Sequence, residues 1–240
     1  MSVNPYKNSQ KGKKQQVEDM FDNISGKYDF LNHLLSLNLD KTWRRKAVAC
    51  LNNLPVSSLL DVATGTGDMV KAALKLKPSR IVGIDLSEGM LDGARKKFPS
   101  EIDGTTISFL KGDSENLPFN DNEFDAETVA FGVRNFENTL KGLCEMYRVL
   151  KPGGKVVVLE FSKPVSFPFR NIYQFYFRNL LPLFGRIVSK DKQAYTYLHQ
   201  SVSAFPERAN FIEIMESAGF RECSFQTLTF GVVSVYTGIK

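Results

Sequence analysis

The sequence predicts an α/β fold. It reads as a mostly parallel seven-stranded sheet with a C-terminal antiparallel hairpin, a helical N-terminal lid and an aromatic helical insertion. Three observations predict it. Between residues 58 and 161, short apolar runs alternate with segments of helical periodicity, which is the signature of repeated β–α–β units. "LLDVATGTGD" (59–68) joins the first of these runs to the next helix through a glycine-rich turn. The run "FDAETVAF" (124–131) leads straight into Gly132, Arg134 and Asn135, so polar groups stand where a core strand has just ended. Open α/β sheets bind ligands beyond the carboxyl ends of their strands, so that is where working groups belong.

Residues 1–16 read as a solvated, disordered basic tail carrying Lys7, Lys11, Lys13 and Lys14. From 17 to 240 the chain reads as one domain. Residues 17–53 form its helical lid, because Val17, Met20, Phe21 and Ile24, then Phe30, Leu31, Leu34 and Leu35, recur at helical intervals. "KTWRRKAVACL" continues the lid. Next come the strand "SSLLDVA", the helix "GDMVKAALKLK", the strand "RIVGIDL" and the helix "SEGMLDGARKKF", which Ser87 caps. "TISFLKGD" and "FDAETVAF" are strands and "ENTLKGLCEMYRVL" a helix. The strand "GKVVVLEF" is reached through the turn "KPGG". The alternation breaks at about 164. Residues 164–192 form an insertion with seven aromatics between 165 and 190, interleaved with arginines and no acids. A helix ending at Gly219 and two terminal runs that pair as a hairpin complete the domain.

Composition excludes some classes. With 240 residues, 42% of them hydrophobic and 24% charged, the chain buries a full core. A net charge of +5 admits an acidic partner without requiring one. The three cysteines are far apart and form no CxxC pair, so reduced thiols, a cytoplasmic location and no metal site are expected. No apolar leader and no membrane-spanning run is present, so a soluble protein is expected.

The glycine-rich turn narrows the ligand. A dinucleotide fingerprint, G-x-G-x-x-G, would place glycine where Val70 stands, and a phosphate loop would continue G-K-[ST] where Gly67-Asp68 stands. An acid at the mouth of a phosphate cradle repels its ligand. The spacing Asp-x-x-x-Gly-x-Gly instead resembles motif I of the Rossmann-like, class I S-adenosylmethionine-dependent methyltransferases. The resemblance implies cofactor contacts from Gly65, Thr66 and Gly67. It also implies ribose contacts from Asp85, about twenty residues on at the end of "VGIDLS", and adenine contacts from Asp113 and Ser114 in "GDSENLPF".

Longer blocks carry a closer resemblance. "MFDNISGKYDFLNHLLSLNLDKTWRR" (20–45), "LPFNDNEFDAETVAFGVRNFEN" (117–138), "YRVLKPGGKVVVLEF" (147–161) and "YLHQSVSAFPERANFIEIMESAGF" (197–220) resemble the signature blocks of the demethylmenaquinone and ubiquinone C-methyltransferases. The chain departs from some members at Ala130, where they carry serine. The resemblance implies methyl transfer from S-adenosylmethionine to the ring of 2-demethylmenaquinol, giving menaquinol in the last step of menaquinone biosynthesis. The alternatives it leaves are 2-methoxy-6-polyprenyl-1,4-benzoquinol on the ubiquinone route, or both rings.

Arginine stays protonated at any ordinary pH and cannot be the base. Arg134 is therefore expected to hold the developing phenolate, Asn135 to orient a water or the second oxygen, and Tyr28 to contact a quinol oxygen. The alternative for Arg134 is an ion pair with an acid such as Glu160 that braces the loop. The general base stays open among His33, His199 and Asp29. The aromatic insertion is expected to take the isoprenoid tail or to rest peripherally on the inner face of the membrane; the alternative is an ordinary cap over the core.

Other classes fit less well. A nucleic-acid methyltransferase would show a Pro-Cys pair or an Asn/Asp-Pro-Pro-aromatic loop, and "FGVRNF" stands in that place. No nucleic-acid partner is expected. A non-catalytic quinone- or membrane-binding module would have eroded Thr66, Asp85 and Asp113, which all stand. Val70 disfavours a nicotinamide oxidoreductase. Oligomeric state is open.

Overall fold

Strand β1 (Ser58–Val62) carries the run Leu59-Leu60-Asp61-Val62, buried throughout, and this is what a central parallel strand covered on both faces requires. The computed structural model describes residues 3–6, 9–175 and 192–240. β1 pairs in parallel with β2 (Arg80–Asp85) on one side and with β5 (Phe124–Ala130) on the other. β2 pairs in parallel with β4 (Thr105–Lys111), and β5 with β6 (Leu150–Phe161). The terminal strands β7 (Arg221–Leu228) and β8 (Val233–Ile239) form the expected hairpin, with β8 antiparallel to β6. The sheet order is β3-β4-β2-β1-β5-β6-β8-β7, where β3 (Glu101–Ile102) is a two-residue edge strand. It makes eight strands where seven were expected, because two residues are too short to show alternation.

Helices lie on both faces. The described ones are α1 (Lys13–Ile24), α2 (Tyr28–Leu35), α3 (Leu39–Ala49), α4 (Asp68–Ala73), α5 (Glu88–Lys97), α6 (Thr139–Val149), α7 (Phe169–Phe175), α8 (Lys192–Ala204) and α9 (Ala209–Ser217). Ser87 caps α5 as expected, accepting from Met90 N at 3.1 Å, and Asn138 caps α6 in the same way. One core layer packs Trp43, Met69, Val70, Ile81, Leu91 and Val157. The opposite layer packs Leu60, Val82, Leu143, Met146, Val156 and Phe211.

Three local expectations differ from the structure. The "KPGG" segment is a bulge inside β6, since Phe124 pairs with Leu150 and Ala126 already with Lys155. Its Gly154 lies so close to Asp125 O that a Cβ would approach it to 2.8 Å. Helix α8 was not expected as a separate element. Helix α1 begins at Lys13, inside the stretch read as a solvated tail, and buries Lys13 and Gln16 along with Val17 and Met20. Gln16 ties the preceding segment down, accepting from Tyr6 N at 2.9 Å and donating to Lys11 O at 2.6 Å. Most of the aromatic insertion, residues 176–191, lies outside the described residues.

Candidate active site

The loop after β1 alternates backbone hand. Ala63, Gly65 and Gly67 have φ of 52°, 55° and 83°. Glycine takes such angles freely, whereas an alanine there is strained. Below the loop Asp61 is buried and accepts from the Thr64 and Thr128 hydroxyls at 2.6 and 2.7 Å. Burial outweighs those bonds and pushes its carboxyl up to about 7. From the end of β2, Asp85 accepts from Gly65 N at 2.8 Å and from Ser87 N at 2.9 Å, and so anchors the loop to the neighbouring strand.

These strand ends line a cavity of about 70 Å³ that includes Gly65, Asp85, Asp113 and Ser114. Gly65 faces open space: a Cβ built there meets nothing within 4 Å. Thr66 and Gly67 do not line it. The Thr66 hydroxyl is buried against the Asp29 carboxylate, and a Cβ on Gly67 would strike the Phe98 ring at 2.7 Å. These two residues shape the turn from behind. Ala130 does line the cavity, at the position where some members of the resembling family carry serine.

A second cavity, about 390 Å³ and almost wholly apolar, lies beside the first. Arg134, Asn135 and Tyr28 line it among Met20, Ile24, Leu31, Trp43, Phe161 and Leu198. Phe21, Tyr28, Phe131 and Asn135 line both cavities and form the junction between them. Arg134 is the one charged side chain among the described residues lining the larger cavity, and none of them is a carboxylate or a histidine.

Arg134 is paired. Its Nη1 donates to Glu160 Oε1 at 2.8 Å and to the Phe131 carbonyl, while its buried Nε has no partner. Burial raises the pKa of Glu160, and Arg134 partly offsets this. Asn135 Oδ1 accepts from the Tyr197 hydroxyl at 3.1 Å. The Tyr28 side chain is half-buried, and desolvation raises its pKa against the pull of Arg134 and Arg44. The three residues expected to carry chemistry are thus brought to one cavity, with the alternative Arg134–Glu160 pairing also present.

The base candidates are placed elsewhere. His33 Nδ1 lies 2.9 Å from Asp40 Oδ2, Asp29 pairs with Lys97, and His199 is exposed on α8. His33, Asp40 and Asp68 are the one metal-compatible cluster among the described residues, but Arg44 pairs with Asp40 inside it, which fits an ionic brace.

Sequence reasoning missed several residues. Glu115 is buried and accepts from Glu137 N and Asn138 N, fastening the loop after β4 to the loop after β5. Lys14, Val17, Glu18 and Phe21 of α1 line the smaller cavity. Their i, i+3, i+4, i+7 spacing was legible as a helix face, but two of the four are charged and hid it.

A doubly wound sheet of this order, with a glycine-rich loop after β1 and acids at the ends of β2 and β4, defines a Rossmann-like, S-adenosylmethionine-dependent methyltransferase. The family model described as "ubiE/COQ5 methyltransferase family" matches residues 9–240, and the chain belongs to that family. It is 46% identical over 239 residues to a demethylmenaquinone methyltransferase of Bacteroides fragilis, covering 99% of this chain and 97% of the relative. It is 44% identical over 240 residues to a ubiquinone/menaquinone biosynthesis C-methyltransferase of Geobacter sulfurreducens, covering 99% and 93%. Among solved structures, a methyltransferase from Thermotoga maritima described as a possible histamine N-methyltransferase superposes with a TM-score of 0.67. It is 24% identical, covers 93% of this chain and 99% of the other, and attests the fold.

Proposed function

We propose that this methyltransferase places a methyl group on a ring carbon of a polyprenylated quinol, 2-demethylmenaquinol, giving menaquinol. One observation carries the reading: an apolar cavity of about 390 Å³ with one charged side chain, sharing a wall with the smaller cavity. A greasy tail with one ionisable ring fits that lining. Relatives named demethylmenaquinone methyltransferase support the choice of ring. The methoxy-benzoquinol of the ubiquinone route is the second reading, favoured by the name of the Geobacter relative.

Gly65, Asp85, Asp113 and Ser114 would hold S-adenosylmethionine in the smaller cavity. Gly65 leaves room where a Cβ would intrude, Asp85 accepts from ribose hydroxyls, and Asp113 and Ser114 meet the base. When bound, the cofactor supplies an electrophilic methyl on a positively charged sulfur. Phe21, Tyr28, Phe131 and Asn135 then fix the angle at which the ring meets it, and such positioning is worth ~7–11 kcal/mol.

The ring must be reduced, since a quinone is itself electrophilic. Arg134, held by Glu160 and the Phe131 carbonyl, offers a fixed positive charge to the phenolate that forms when a quinol hydroxyl ionises. Asn135, steadied by Tyr197, and the Tyr28 hydroxyl orient the oxygens. None of the described lining residues is a carboxylate or a histidine, so we propose water as the acceptor of that proton.

The mouth of the larger cavity suits a lipid surface. Leu37, Ile172 and Phe230 line it and are more than half exposed; Phe30 on α2 and Phe167, two residues before α7, are exposed as well. Phe230 stacks on Phe169 at 3.7 Å. Exposed Arg170 stands on α7 with Ile172, and exposed Lys41 on α3, whose Leu39 also lines the cavity, so we place this face against an anionic bilayer as a peripheral contact. Among the described residues no helix is long and apolar enough to cross a membrane.

The test is methyl transfer from methyl-labelled S-adenosylmethionine to demethylmenaquinol and to the methoxy-benzoquinol, each in detergent, reduced and oxidised. Label in a reduced ring only is expected, with demethylmenaquinol preferred. No label in either ring would overturn the quinol reading. Sedimentation with phosphatidylglycerol vesicles tests the membrane contact.

A further inference from the structure

Several polar side chains line the larger cavity, and the protein itself satisfies many of their atoms. Ser36 Oγ donates to Asp40 Oδ1 at 2.7 Å, and Thr229 Oγ1 accepts from Trp43 Nε1 at 2.7 Å. The Tyr197 hydroxyl donates to Asn135 Oδ1 at 3.1 Å. Asn32 is different: it lines the cavity, and its Nδ2 is buried with no acceptor. Native folds seldom leave a buried donor unpaired, because its desolvation is then uncompensated. On the wall of a cavity such a donor points to a ligand oxygen.

Helix α2 sets the place of this amide. Tyr28, Leu31, Asn32 and Leu35 fall at i, i+3, i+4 and i+7, and all four line the larger cavity. Tyr28 also lines the smaller cavity and Asn32 does not, so Asn32 stands one helical turn back from the junction. Side chains at i and i+4 have Cβ atoms ~5–6 Å apart, about the span of one aromatic ring. The Cβ–Cγ torsion of asparagine is soft, so the amide turns its Nδ2 toward a ligand at little cost.

A 1,4-quinol carries its two oxygens at opposite corners of one ring. The carbon that takes the methyl sits at the junction, and the oxygen ortho to it is the one that ionises beside Arg134. The para oxygen then lies across the ring, away from the junction.

We propose that Asn32 is a quinol-binding residue whose side-chain amide donates to the oxygen para to the one that ionises. Held at both oxygens, the ring cannot turn in its own plane. The carbon between the ionising C–O and the prenylated carbon is then the one presented to the methyl. The proposal rests on reading the larger cavity as the quinol site.

Deleting the para hydroxyl from the substrate tests it. The parent and Asn32→Leu are compared on reduced demethylmenaquinol and on the 3-polyprenyl-1-naphthol with the same tail. That naphthol keeps the hydroxyl ortho to the reacting carbon and lacks the para one. On the quinol, the variant is expected to lose roughly tenfold in kcat/KM. On the naphthol, kcat/KM, or the inhibition constant where it binds without turnover, is expected to change by about twofold or less. The naphthol ring is poorer in electrons for parent and variant alike, so that difference cancels.

Equal losses on both molecules would overturn the proposal, since Asn32 would then only shape the wall. An unchanged rate on the quinol would overturn it too. Asn32→Ala is measured alongside, so that a leucine too bulky for the cavity does not decide the outcome, and again only the quinol should suffer. If the parent methylates neither the quinol nor the naphthol, the quinol reading of the cavity has itself failed. That result is distinct from a variant without effect.

Discussion

Arg134 and Glu160 form a buried ion pair, Nη1 to Oε1 at 2.8 Å, between the loop that follows β5 and the end of β6. The arginine faces the larger cavity with the same guanidinium that the glutamate holds. The pair is therefore both a brace and a way of aiming charge. Removing one partner strands the other, and an uncompensated buried charge costs about 3–5 kcal/mol. Glu160→Leu is expected to lose about that much stability in urea unfolding, and the double change with Arg134→Met to recover most of it. Methyl transfer should stay abolished in the double variant. A stable double variant with parent-like turnover would mean that Arg134 only braces.

Ala63 and Gly132 pack against each other in the wall of the smaller cavity. A Cβ on Gly132 would stand 2.6 Å from Ala63 Cβ and 3.1 Å from Val129 Cγ2, so Gly132→Ala is expected to cost about 1–3 kcal/mol. Ala63 has a φ of 52°, where a side chain is strained by ~1–2 kcal/mol, so Ala63→Gly should be close to neutral. Combined, the two changes should destabilise less than their sum, by about 1–2 kcal/mol, in a thermal double-mutant cycle.

Asp61 titrates inside the fold. Its pKa rises from 3.8 when exposed to about 7 when buried, so the folded state holds a proton that the unfolded chain releases. Its contribution to stability is complete below pH 3.8, declines as pH rises and is lost above about 7. Asp61→Asn keeps hydrogen-bonding capacity toward Thr64 and Thr128 without the charge. The variant is expected to be less stable than the parent at pH 5, with the gap closing or reversing by pH 8. Calorimetric midpoints that move in parallel over this range would refute the assignment.

Glu127 is fully buried on β5 between Leu60 and Val156, and neither carboxyl oxygen has a partner. Burial raises its pKa well above the ordinary carboxylate range, with Lys240 only partly offsetting this. A buried unsatisfied polar group costs about 1–3 kcal/mol, so Glu127→Met is expected to stabilise the fold by that order at pH 8 and by less at pH 5. A destabilised variant at pH 8 would show that the acid has a partner there, such as a buried water.

The central strands were legible because each is specified locally. Leu59-Leu60 and Ile81-Val82 are continuous apolar runs, and the turns after them carry glycine or a capping serine. Asp85 ends β2, and Gly65 and Asp113 stand in the loops that follow β1 and β4, so the sheet's parallel order brings all three to one cavity. Arg134, Asn135 and Tyr28 could be named from the resemblance, and the structure brings them to one cavity.

The N-terminal stretch was not legible. Lys13 and Lys14 looked like tail charges, since nothing near them in sequence can bury an ammonium group. Their partners, Phe136 O and Asp113, come from loops about a hundred residues away. Likewise Thr66 and Gly67 carry the motif's pattern, but only the packing of Phe98 and Asp29 shows that they face away from the cavity. The sequence by itself determined the alternation of strands and helices and the place of the glycine-rich turn, because these depend on neighbours along the chain. Tertiary structure alone decided which charges are paired and which cavity each side chain faces, because those depend on desolvation by residues distant in sequence.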